Sequence, residues 1–106
     1  MLENVFYIKY TFFNPSMTPI IWDSISREKA LEIMKNYRAA CNGELRIEAN
    51  SCTRFFVRYD AKMQMWDICK HANGRFLYYG RSYKQAPSAL NRLVKLTEMV
   101  KPSERK

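Results

Sequence analysis

Between residues 44 and 80 the chain carries four short runs rich in alternating, β-branched or aromatic residues, each closed by a turn signal. The runs are "ELRIEA" (44 to 49), "CTRFFVRYD" (52 to 60), "MQMWDICK" (63 to 70) and "RFLYYG" (75 to 80). Asn50-Ser51, Asp60-Ala61-Lys62 and "HANGR", with its Asn-Gly hairpin dipeptide, separate them. Four consecutive strands at this spacing predict an antiparallel sheet. Alternation sends Leu45, Ile47 and Ala49 inward from the first run, and Phe55, Val57 and Tyr59 from the second. Trp66 sits mid-strand with Ile68 on its parity and is expected to be buried.

The flanking segments complete the architecture. "NVFYIKYTFF" (4 to 13) reads as a strand whose core face is Phe6, Ile8, Tyr10 and Phe12, and "NPSMTP" breaks it. Residues 24 to 43 read as a helix capped by Ser24 or Ser26, with an apolar stripe of Ala30, Ile33, Met34, Tyr37, Ala40 and Cys41. Trp22, following Ile20-Ile21 just before that helix, is expected in the core. Residues 87 to 101 read as a second helix with Pro87 first and Ala89, Leu90, Leu93, Leu96 and Val100 inward. The expected fold is α+β: a two-layer sandwich in the order β-α-β-β-β-β-α. An antiparallel sheet of four to five strands carries two helices on one face, in one domain over 1 to 102, with a flexible basic tail at 103 to 106. An exposed sheet edge would allow a monomer or an edge-paired dimer.

Charge is the feature that bears on function. The formal net charge is +8. Residues 1 to 50 carry six basic and six acidic side chains, whereas 51 to 106 carry twelve basic and four acidic, so the whole excess lies in the second half. Such asymmetry implies a partner rich in negative charge. Cys41, Cys52 and Cys69 are odd in number and not at CxxC spacing, and His71 is the single histidine. They read as free thiols in a reducing cytoplasm, with no metal or other cofactor. No signal-peptide pattern opens the chain and no apolar run is long enough to span a membrane.

The face of the sheet opposite the helices is the expected binding surface. Arg54, Phe56 and Arg58 share a parity there, and an outward Arg-Phe-Arg run suits a platform that stacks a base and holds its phosphates. From the last strand Phe76 and Tyr78 are expected to face out, with Arg75, Arg81, Tyr83 and Lys84 at its ends. Arg92 and Lys95 add charge from the outward face of the second helix. The element order over residues 24 to 101 resembles that of double-stranded-RNA-binding domains. The basic cluster that opens the second helix in that family is not matched by "KQAPSAL", and an extra strand precedes the first helix.

The expected function is a small non-enzymatic nucleic-acid-associated binding domain, for DNA or RNA. The chain contains no GxSxG, HExxH or Walker loop, and no paired carboxylate motif. The competing expectation is a protein-binding inhibitor or adaptor of the kind a phage or mobile element carries. It would dock an acidic face of a larger assembly, such as one of host defence that itself handles nucleic acid, since arginine and aromatic residues are also common interface anchors.

Overall fold

The structure, a computed structural model, describes residues 5–72, 75–101 and 103, with the backbone alone at 72 and 76. Strands β1 (Val5–Phe12) and β2 (Ile20–Ser26) precede helix α1 (Arg27–Tyr37). Strands β3 (Gly43–Ala49), β4 (Cys52–Asp60), β5 (Met65–Ala72) and β6 (Arg75–Tyr78) follow, and helix α2 (Ala86–Met99) closes the domain. All neighbouring strands are antiparallel, in the spatial order β2-β1-β3-β4-β5-β6.

The fold is the expected α+β sandwich, but the sheet has six strands rather than four or five. The additional strand is β2. Its segment "IIWDSIS" was expected to lead straight into the helix; instead it pairs with β1 from Ile20↔Tyr10 to Ser26↔Val5. A register shift lies opposite Phe6 to Ile8, and Ser24 there takes φ 53°. That bulge breaks the apolar alternation, which is why the strand does not show in the sequence. Ser26 then ends β2 and caps α1, accepting from the Lys29 backbone N–H at 3.2 Å. Trp22, expected in the core, is only partly buried, because β2 is an edge strand. Its ring meets Tyr37 of α1 edge-on at 5.2 Å.

Both helices cover one face of the sheet. Phe6, Ile8, Tyr10, Leu45, Ile47, Val57, Trp66 and Ile68 point into the layer between, and Ala30, Ile33, Met34, Leu90, Leu93 and Leu96 meet them from the helices. Helix α1 ends at Tyr37, so Cys41, assigned to its apolar stripe from spacing, lies beyond it and is exposed. Gln85 is the N-cap of α2 and Pro87 falls in its first turn, where a missing N–H breaks no hydrogen bond. The Asn73-Gly74 turn lies outside the described residues, as does the tail expected at 103 to 106, Ser103 excepted.

Candidate functional site

The helix-free face of the sheet begins with the parity read from the sequence, but its centre is closed. Arg46 of β3 stands opposite Lys9 of β1 on one side and Arg58 of β4 on the other, and Arg58 stands opposite Asp67 of β5. Like charges directly across strands repel. Here carboxylates bracket them: Arg46 Nε donates to Glu44 Oε1 at 2.9 Å, and the Arg58 guanidinium reaches Asp67 Oδ2 at 3.4 Å. Asp67 also accepts from the Ser82 hydroxyl at 2.6 Å, and Arg58 donates to the Tyr78 hydroxyl. Burial works against the Arg58 charge, yet Tyr78, Glu44 and Asp67 together raise its pKa above the usual arginine value.

Phe56 lies in the next row and is 0% exposed. The Arg46 guanidinium sits 4.6 Å from its ring centroid and the His71 ring 4.6 Å away at a 35° tilt. His71 is itself 3.8 Å from Glu48. Phe56 is therefore the heart of a second, small core under a lid of polar side chains, and its ring face is not open to a base. This corrects the expectation of an outward Arg-Phe-Arg platform. Arg54 departs from it as well. A register shift between Ile47 and Ala49 puts a bulge at the start of β4. Arg54 lines a shallow recess with Phe55, Lys70, Tyr79 and the end of α2, apart from Arg58.

The exposed cations lie at the rim instead. After β6 the chain turns at Gly80, whose φ of 79° lies in the left-handed region that glycine adopts at least cost. It returns to the sheet at Tyr83, which exchanges backbone hydrogen bonds of 2.7 and 2.8 Å with Trp66. This excursion holds Arg81 outward and sets it, with Gly80, Tyr83 and Arg92 of α2, around a recess of about 350 Å³. Arg75, Arg81, Lys84 and Lys95 are exposed, and Tyr83 and Arg92 partly so. None of these five cations has an ion-pair partner among the described residues. The edge also presents Leu77 and Tyr78, 54% and 62% exposed. Tyr78 faces out as expected. Phe76 is paired by its backbone with His71, and its side chain lies outside the described residues. The first turn of α2 contains no acidic residue, and Gln85 makes no side-chain cap.

Sequence reasoning missed Glu44, Arg46, Glu48, Asp67 and His71 as the groups that close the open face. Their alternation in β3 and β5 was legible, but which of them stand across from Phe56 and Arg58 depends on pairing. Cys69, opposite Phe56, is buried, and burial pushes its thiol up to about 11, so it is not a nucleophile at neutral pH. Among the described residues no group of three or more His, Cys, Asp or Glu could hold a metal ion. None of the described helices is long and apolar enough to cross a membrane. No protein family, curated protein or solved structure matches the chain.

Proposed function

We propose that the protein is a binding domain for nucleic acid and that it grips the phosphate backbone along the rim made by β6, residues 79–85 and the outward face of α2. The observation that carries this reading is the one-sided charge there. From Lys70 to Lys101 the sequence holds seven Lys and Arg residues against the single acid Glu98. Among the described residues no acid pairs with Arg75, Arg81, Lys84, Arg92 or Lys95. Two arginines converging beside Tyr83 offer a fork for a phosphate with an aromatic neighbour. The centre of the open face plays a supporting part: its paired charges hold the Tyr78 hydroxyl and the Ser82 segment in place.

The test is oligonucleotide binding by anisotropy at two salt concentrations. Five phosphate contacts on duplex give a slope of about −4.5 in log K against log salt, hence about 500-fold weaker binding at 200 than at 50 mM. Arg81→Ala with Arg92→Ala should lower that slope by about 2 and leave the fold intact. Binding that ignores salt, or a double variant that binds like the parent, would sink the rim reading. The exposed Leu77 and Tyr78 favour a second reading, an acidic protein partner laid on the β6 edge. That partner would bind with no oligonucleotide affinity in the same assay.

A further inference from the structure

A larger recess opens where the end of α1, the β4–β5 turn and the start of α2 meet. Its volume of about 750 Å³ falls in the range of small-ligand pockets, about 300–1,000 Å³. Its lining contains no carboxylate. Arg38 enters from the end of α1 and Lys84 from the start of α2. Tyr59 also lines it, partly buried, with its ring against Trp66 at 4.6 Å. A ring backed by a fully buried tryptophan is a fixed surface rather than a mobile one. Met63, 66% exposed, borders it as a flexible apolar contact. Gln64 adds an amide that can both donate and accept.

We infer that this recess is a subsite for one unstacked nucleotide of a bound single strand, its phosphate between Arg38 and Lys84 and its base against Tyr59 and Met63. The inference rests on the rim reading, because Lys84 belongs to both surfaces. Lys84 is three positions after Arg81, at most about 11 Å of extended chain. A strand held by Arg92 and Arg81 therefore passes the mouth of the recess. A duplex would have to unpair and unstack a base to fill it, at a cost of a few kcal/mol, whereas a single strand has no pairing to lose. An amide beside an aromatic ring does not select one base, so the subsite favours unpaired strands over duplex without strong sequence preference.

Cys41 makes the occupancy measurable. It lines the recess and is exposed, while Cys52 and Cys69 are buried. The experiment uses the full chain, an oligothymidylate of about 12 nucleotides, within the range of about 4–16 for single-strand sites, and a duplex of equal length. Anisotropy reads affinity, and mass spectrometry reads the rate of Cys41 alkylation by iodoacetamide. The single strand should bind about tenfold tighter than the duplex, the order of one stacked base. At saturation it should slow Cys41 alkylation about fivefold or more, by covering the thiol. Arg38→Ala should lower the single-strand salt slope by about 0.7 and leave duplex binding unchanged. Salt-dependent binding of both nucleic acids with equal affinity and no protection of Cys41 would overturn the subsite and leave the rim reading standing. No binding of either nucleic acid, with or without capture of a poly-glutamate peptide, would overturn the rim reading and the subsite together.

Discussion

Replacing Phe56 by alanine separates a buried support from a binding residue. The ring is fully buried on the face without helices, between Arg46 and His71, each 4.6 Å from its centroid. Phe→Ala in a core costs about 3–5 kcal/mol. The lid over Phe56 consists of flexible side chains that can settle into part of the cavity, which argues for the lower end. The lost cation–π contact adds about 0.5–1 kcal/mol. A total of about 3.5–4 kcal/mol corresponds to a fall in Tm of about 14–32 °C for a domain of this size. Differential scanning calorimetry at pH 7 reads it, with Thr53→Ala in the same strand as the control. Thr53 is exposed, so its replacement should stay within about 0.5 kcal/mol. Oligonucleotide affinity of the folded Phe56→Ala protein, measured well below its Tm, should remain near that of the parent. A drop under about 4 °C accompanied by loss of oligonucleotide binding would refute the buried assignment and restore Phe56 as a stacking surface.

Two further outcomes test the fold and its thiols. Gly43→Ala should destabilise by about 2–3 kcal/mol, read from urea midpoints, because a Cβ there would meet the Thr11 carbonyl oxygen at 2.5 Å and the Tyr10 ring at 2.6 Å. A midpoint equal to that of the parent would mean that β1 and β3 are not so closely paired. In the native protein at pH 8, iodoacetamide should modify Cys41 and spare Cys52 and Cys69. The Cys69 thiol has its pKa raised from 9.0 to about 11, so the folded state holds that proton more tightly than the unfolded chain. Its contribution to stability is therefore complete below pH 9 and lost as pH climbs toward 11. Cys69→Ser should flatten that decline, and an equally steep decline in the variant would remove Cys69 as its cause.

The parts of the molecule that follow one period were legible in the sequence. Phe6, Ile8 and Tyr10, Leu45 and Ile47, Val57, Trp66 and the stripe of α2 are buried where alternation and helical spacing put them. What escaped was set by irregular backbone or by pairing. Ser24 at positive φ interrupts β2, and the shift between Ile47 and Ala49 moves Arg54 away from Arg58. The parity of Phe56 was read correctly, yet parity says which way a side chain points and not what covers it. Arg46 lies ten residues before Phe56 and His71 fifteen after. Only the placement of β3 and β5 on either side of β4 brings them over the ring.

The same pairing explains why the uncompensated charge collects at one margin. Each cation in the middle of the open face has strands on both sides, and evolution of a stable sheet can place an acid within reach, as Glu44 and Asp67 are for Arg46 and Arg58. β6 is the last strand, four residues long, with a neighbour on one side only. Arg75 at its start and Arg81, three residues past its end, thus have no described strand beyond them from which an acid could come. A bare edge is prone to pair with another chain, and flanking cations with an interrupted strand are means of discouraging that. Two copies meeting antiparallel along β6 would bring these arginines together, so a second copy of this chain is a poor occupant of the edge. A polyanion is a good one, because it supplies the charge that the missing neighbour does not. The β2 edge provides the contrast. It carries only Asp23 as a charge and is broken by the Ser24 bulge. The two margins of one sheet therefore differ in charge while sharing the same protection against pairing, and among the described residues it is the β6 margin that combines exposed aromatic surface with arginines that have no acid partner.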